Sequence, residues 1–273
     1  MISRKLLVVN ADDFGFTPDV NEGIIEAHRN GILTAATTMA NGDAFDHAVA
    51  LARQTPGLDI GCHLVLIGGR SLVTGAPLPA TVGQFLRALA TGRIPVHEEL
   101  RAQVRKIVEA GLEPTHLDTH KHTHLAPPVL EAVARIGEEF RIPWIRRPMD
   151  CPLSAPGGVS PPLKRLTSAA IVLLGGRFRR VLEHHRCRAT DHFAGFRITG
   201  RVRTQELVEL MRVIPWGSTE LMCHPGRCAE ALRHAPTRLK ESREAELAAL
   251  TAPEVRVAVE RAGIELVNYR QLA

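Results

Sequence analysis

Two adjacent carboxylates, Asp12 and Asp13, follow the short apolar run Lys5 to Val9 and precede a Phe14-Gly15 turn. Carboxylates side by side repel each other, so the position calls for a nearby cation. A metal ion would let one carboxylate serve as ligand and the other as base. The plainer alternative is that the pair caps the turn and the helix after it. Three imidazoles recur along the chain, His63, His120 and His224, each at or just beyond the end of a predicted strand. One carboxylate with two imidazoles makes a ligand set for a divalent ion, with open positions left for water and substrate. The run Asp118-Thr119-His120-Lys121-His122-Thr123-His124 adds weight. Such His density points to metal binding or proton transfer more than to a solvated coincidence.

The elements that must position these residues alternate. Strands are predicted over 5–9, 32–39, 59–66, 115–118, 144–147, 189–196, 219–223 and 264–267. Helices are predicted over 18–30, 44–54, 98–110, 127–140, 204–213, 239–250 and 253–262. Thr17 and Pro18 start the first, and Gly31 stops it. Alternation of this kind argues for βαβ units and a parallel sheet. In 273 residues it predicts one domain, 1–273, with an α/β fold: a distorted TIM-like (β/α) barrel. A doubly wound open sheet is the alternative. Two long irregular insertions are predicted, 67–97 and 148–188, and long loops are commonly functional. In a barrel the carboxyl ends of the strands converge on one face, which would gather Asp12, Asp13, His63, His120 and His224.

Composition narrows the classes. An apolar fraction of 45% suits a globular chain with a sizeable core, and no apolar run reaches membrane-spanning length. The amino-terminal run is too short for a signal peptide. The five Cys form no CxxC pair and read as reduced thiols of a cytoplasmic protein. There is no GxGxxG and no Walker A loop, which counts against a nucleotide site. A net charge of +5 permits an anionic surface as partner without demanding one, and no nucleic-acid motif accompanies it.

The motifs in order carry a resemblance. Asn10-Ala11-Asp12-Asp13-Phe14-Gly15, Gly61-Cys62-His63-Leu64, Thr115-His116-Leu117-Asp118-Thr119-His120 with His122 and His124, and Met222-Cys223-His224-Pro225 resemble the YdjC-like carbohydrate deacetylases, which include chitooligosaccharide deacetylases. Asn21 to Ala27 and the closing Tyr269-Arg270 fit as well. The resemblance implies a distorted TIM-like barrel, one divalent metal ion and hydrolytic removal of acetyl from an N-acetylated amino sugar. By position, Asp13, His63 and His120 resemble the metal ligands, Asp12 the catalytic base and His224 the acid. Two imidazoles and a carboxylate suit zinc, while the family leaves magnesium open. Arg146 could pair with Asp12 and keep it ionised, by analogy with the related polysaccharide deacetylases, with an ordinary surface Arg the alternative. Arg146, His124, Asp191 and His192 are also expected near the substrate, with turn capping the alternative for Asp191 and His192.

The segment 161–188 suggests where the sugar is carried. Leu166 to Gly176 is apolar, and Lys164, Arg165, Arg177, Arg179, Arg180, Arg186 and Arg188 surround it, with Glu183 the sole acid. That pattern suits peripheral contact with an anionic bilayer, or else a core helix with a solvated basic end. Joined to the family resemblance, it resembles the hopanoid-associated branch. That branch implies N-acetylglucosaminyl bacteriohopanetetrol, a lipid-linked sugar at the inner membrane face. A soluble chitooligosaccharide deacetylase is the nearest rival. A non-catalytic sugar- or metal-binding protein would need the ligands but not Asp12, and a single triad favours one metal over the two of many phosphoesterases.

Overall fold

The computed structural model describes residues 4–149 and 174–272. Its eight described strands form one parallel sheet. They are β1 (Lys5–Phe14), β2 (Ala35–Thr38), β3 (Asp59–Leu64), β4 (His116–Thr119), β5 (Trp144–Ile145), β6 (His192–Ala194), β7 (Gly217–Cys223) and β8 (Ile264–Leu266). Helices α1 (Pro18–Asn30), α2 (Phe45–Arg53), α3 (Val82–Ala90), α4 (Val96–Glu109), α5 (Pro127–Phe140), α6 (Gly175–His184), α7 (Thr204–Val213), α8 (Glu230–His234), α9 (Glu241–Thr251) and α10 (Pro253–Arg261) alternate with them.

The ladder runs β5-β4-β3-β2-β1-β7-β6. Neighbours in sequence are neighbours in space, and the first strand meets the last ones, which is the order of a barrel. A doubly wound sheet would instead reverse direction at a switch point. The seam between β5 and β6 is nearly open among the described residues. β5 instead makes a parallel bridge from Trp144 to Arg188, in the segment before β6, where Ile145 N–H donates to the Arg188 carbonyl at 2.9 Å. The result is the expected distorted (β/α) barrel.

β1 lies at the centre. β7 pairs along one edge, Lys5 to Ala11. The other edge is shared: β8 pairs with Lys5 to Leu7, and β2 with Asn10 to Phe14. Strand alternation then sorts the side chains. Leu7, Val9 and Ala11 join the large core that includes Ile24, Ala27 and Leu250 from the helices. Val8 points the other way, into a small plug of Ala35, Trp144, Val267, Tyr269 and Leu272. Asn10 and Asp12 continue on that inner face, so polar chemistry begins directly above an apolar floor.

Several boundaries differ from expectation, for local reasons. β1 runs on to Phe14, because the ladders to β7 and β2 continue past Val9; Asp12 and Asp13 therefore lie within its last residues. β6 starts at His192, three residues later than predicted. The 67–97 insertion is not wholly irregular. Thr81 accepts the Gln84 N–H and opens α3, whose sole buried residue is Phe85. Of the 148–188 insertion, residues 150–173 lie outside the described residues, and with them Lys164, Arg165 and most of the apolar Leu166–Gly176 stretch. Within α6, Phe178 and Leu182 are buried while Arg177, Arg179 and Arg180 are exposed. No described helix is long and apolar enough to cross a membrane.

Two glycines make close approaches that position the site. A Cβ on Gly61 would stand 2.6 Å from the His116 ring, and one on Gly23 would stand 2.5 Å from Gly226 Cα. The first lets β4 lie against β3. The second lets α1 pack directly on the loop that carries His224.

Candidate active site

The carboxyl ends of β1, β3 and β4 bring Asp13, His63 and His120 together. Asp13 Oδ1 lies 3.3 Å from His63 Nε2 and 3.4 Å from His120 Nδ1, and the two nitrogens are 3.2 Å apart. Ligands bonded at about 2.0–2.2 Å to one ion have roughly this mutual spacing. Asp13 Oδ1 is buried and otherwise without a hydrogen-bond partner among the described residues. A buried carboxylate oxygen left open between two imidazoles fits a divalent cation. The other oxygen, Oδ2, pairs with Arg243 Nη2. Burial pushes the Asp13 carboxyl up, but Arg243, His120 and His63 outweigh it and hold it well below the usual range.

His63 is aimed by its neighbours. Its Nδ1 is 2.7 Å from Asp118 Oδ1, and Thr37 Oγ1 donates to Asp118 Oδ2 at 3.0 Å. A ring nitrogen engaged this way turns the opposite nitrogen toward a metal. Burial alone would lower the His63 pKa; Asp118 and Asp12 reverse that and raise it well above 6.5. A cation arriving at Nε2 would displace that proton.

Asp12 has a different partner. Arg146, from just beyond β5, donates Nη1 to Asp12 Oδ2 at 2.8 Å and Nη2 to Oδ1 at 2.6 Å. The same guanidinium reaches Asp118 Oδ2 at 2.7 Å and Glu220 Oε1 at 2.7 Å. Burial raises the Asp12 carboxyl, but Arg146 more than offsets this and keeps it ionised far below the carboxylate range. The expected Arg146–Asp12 pairing is thus present. A direct substrate contact by Arg146 is corrected: it is 2% exposed and its fork is filled by three carboxylates.

His224 follows β7, with Nε2 3.8 Å from Asp12 Oδ2. Its backbone N–H donates to Glu246 Oε2 at 2.6 Å, and its Nδ1 has no partner among the described residues. Burial pushes the imidazole down to about 4, against the pull of Asp12 and Asp13. The resting ring is neutral at pH 7, so any proton it gives must first be acquired.

The remaining substrate expectations are corrected. His124 is fully buried, its Nδ1 2.5 Å from Thr119 Oγ1 and its Nε2 3.0 Å from the Arg146 carbonyl. No ring nitrogen is left for a sugar. Asp191 and His192 lie at the wrong end of the sheet. His192 pairs with Thr219, four residues before Cys223 at the site end of β7. Asp191 Oδ2 accepts from the N–H and Oγ of Ser218 on β7, a link between strands instead of a turn cap.

These buried imidazoles make stability pH-dependent. His224 is held at about 4 and His124 at about 3, both by burial, against 6.5 unfolded. A depressed His pKa contributes stability that is present above 6.5 and lost as pH falls toward the folded value. At about 1.4 kcal/mol per unit, the shifts correspond to roughly 3 and 5 kcal/mol. Glu246, pushed up to about 7 by burial, acts in the opposite sense over the same range and offsets part of this, whereas the contribution of His63 is already complete below 6.5. The urea midpoint of metal-free protein should therefore fall steadily below about pH 6.5. A midpoint flat between pH 7 and 5 would contradict the buried neutral assignment.

Residues 6–261 match the family model described as YdjC-like protein. A carbohydrate deacetylase of Brevibacillus brevis is 35% identical over 272 residues, covering 97% of this chain and 99% of the relative. A carbohydrate deacetylase of Geobacillus stearothermophilus is 32% identical, covering 98% of each. Among solved structures, an Enterococcus faecalis protein provisionally described as a cellobiose-phosphate cleavage protein superposes with a TM-score of 0.76. It is 25% identical, with 99% of this chain and 100% of that one covered.

Proposed function

The chain belongs to the YdjC-like protein family, and from that premise and the geometry above we propose that it hydrolyses the acetamide of an N-acetylated amino sugar with one divalent metal ion. It is an enzyme of the carbohydrate deacetylase class. The observation that carries the site assignment is the split between adjacent carboxylates. Asp13 leaves one oxygen open toward two imidazoles, whereas Asp12 is held through both oxygens by Arg146 and faces His224. Asp13, His63 and His120 are the ligands in this reading, Asp12 the base and His224 the proton donor.

A bound divalent ion would polarise the acetyl carbonyl and lower the pKa of a water molecule. Asp12 takes the proton of the attacking water, oriented by Arg146. His224 is neutral at rest and 3.8 Å from Asp12 Oδ2, so it can receive that proton and pass it to the departing amine. The C–N bond then breaks, leaving acetate and the free amino sugar. His63 stays aligned through Asp118.

The finer reading is a lipid-linked amino sugar, N-acetylglucosaminyl bacteriohopanetetrol, met at a membrane face. Two features support it. The 161–188 segment has the apolar and basic composition described above, although 161–173 lie outside the described residues. The 67–97 insertion also exposes Val73, Val82 and Leu86 beside Arg70, Arg87 and Arg93, with no acidic residue between Asp59 and Glu98. Apolar side chains next to unopposed cations favour an anionic bilayer.

The test is acetate release by purified protein, before and after chelation and after return of zinc or magnesium. Small N-acetylated sugars and vesicles carrying the glycolipid should be run in parallel. Activity lost on chelation and restored by metal is expected, with vesicle-borne sugar preferred. Turnover of soluble chitooligosaccharides alone would favour the soluble alternative. Metal binding without acetate from any substrate would favour a binding protein.

A further inference from the structure

Each member of the Asp12-Asp13 pair has its own buried guanidinium, and the two come from distant parts of the chain. Arg146 takes Asp12, and Arg243, on α9, takes Asp13. Arg243 is 2% exposed. Its Nε donates to the Leu239 carbonyl at 3.2 Å, and its guanidinium lies over the Phe16 ring at 5.9 Å. The group is therefore fixed before it meets Asp13. It engages only Oδ2, which leaves Oδ1 for the imidazoles.

Asp13 needs such a hold. Its φ is +68°, left-handed backbone that a non-glycine residue seldom keeps without support, and the β1–β2 register shifts between Ala11 and Phe14. Strand alternation alone would point Asp13 to the helix side with Val9 and Ala11, and that turn takes it off the alternation. Glu246 stands three residues after Arg243, on the same helix face. It is 1% exposed; Oε2 accepts the His224 N–H at 2.6 Å and Oε1 the Gly200 N–H at 3.2 Å. The Arg243 carbonyl also accepts the Gly226 N–H at 3.3 Å.

We propose that Arg243 and Glu246 are positioning residues, through which α9 sets the metal ligand Asp13 and the proton donor His224 in register with each other. Arg243 holds Asp13 to one-oxygen coordination and fixes where that oxygen points. Glu246 fixes the backbone from which His224 reaches Asp12. This rests on the ligand and donor roles proposed above.

The two residues predict different losses. Zinc titration of metal-free protein, with chelator competition, should show Arg243→Met weaker by about 100-fold and Arg243→Lys by about 10-fold, the range for groups that orient a ligand. Lys keeps the buried cation but cannot span both Leu239 and Asp13. Glu246→Gln offers one acceptor where two amides need two. It should bind zinc within about twofold of the parent, yet lose kcat by 10-fold or more with little change in KM. Far-UV circular dichroism identifies the folded variants, and Arg243→Lys decides if the Met variant does not fold. Parental zinc affinity in either folded Arg243 variant would overturn the proposal. So would a Glu246→Gln variant that loses zinc as strongly as Arg243→Met, since α9 would then only hold the fold. Failure of the parent to bind zinc would instead reject the metal reading itself.

Discussion

Arg146→Met should leave the protein largely unfolded at pH 7 under conditions where the parent is folded. Arg146 is the cation that Asp12, Asp118 and Glu220 share, and all four are buried. Removing one partner from a single buried pair costs about 3–5 kcal/mol. Here three carboxylates lose their counter-charge together, against a total stability of about 5–15 kcal/mol. The loss should shrink on acidification. Without Arg146, burial would raise the Asp12 and Glu220 carboxyls above their unfolded pKa, and groups raised in this way destabilise most above the folded value. Urea midpoints of parent and variant at pH 7 and pH 5 give the comparison. A loss of equal size at both would rule out charge as the cause. A loss under about 1 kcal/mol at pH 7 would mean the three carboxylates are not held by Arg146.

Much of this arrangement is legible in the chain, through short periods. The apolar run of β1, the Thr17-Pro18 helix start and the alternation of strands with helices lead directly to the barrel. The same period of two could have been pushed further. His116 and Asp118 fall on one face of β4, with His120 just past its end, as Asn10 and Asp12 share a face of β1, and His116 Nε2 is 3.0 Å from Asn10 Oδ1. Asp118 thus had a signal, although it received no role. Arg243 and Glu246 had none. In Glu241-Ser242-Arg243-Glu244-Ala245-Glu246 they read as solvated charges on an amphipathic helix, and their partners lie 230 and 22 residues away. Asp191 and His192 lie at the start of β6, as they already do within the predicted 189–196, and a parallel strand carries its start to the face opposite the site. In the 67–97 insertion, Gly and Pro around it hid a helix that Thr81 caps.

Asp12→Asn and Asp13→Asn should separate two neighbours that composition cannot. Asp12→Asn should bind zinc like the parent and lose about 10²–10⁴-fold in kcat, because an amide cannot take the proton from water. Its effect on folding should be small, since Arg146 keeps Asp118 and Glu220. Asp13→Asn should instead lose zinc affinity, because the open oxygen between the imidazoles loses its charge. Single-turnover acetate release at saturating zinc measures the first, and chelator competition the second. If Asp12→Asn turned over at more than a tenth of the parental rate, the base would have to be another group, and the neutral His224 is the nearest.

The shared edge of β1 has a consequence for how the chain is made. The first strand is flanked by β7 and β8, whose partners begin more than 200 residues later. During synthesis, β2 and β3 can assemble against one half of β1, while its remaining edges wait for almost the entire chain to emerge. Contacts of such long separation are slow to form and leave strand edges open meanwhile. Asp13 meets Arg243 only at that late stage. A nascent chain stalled before α9 would therefore hold both imidazoles of the triad but an unanchored carboxylate, and should capture zinc only weakly until the last helices are released.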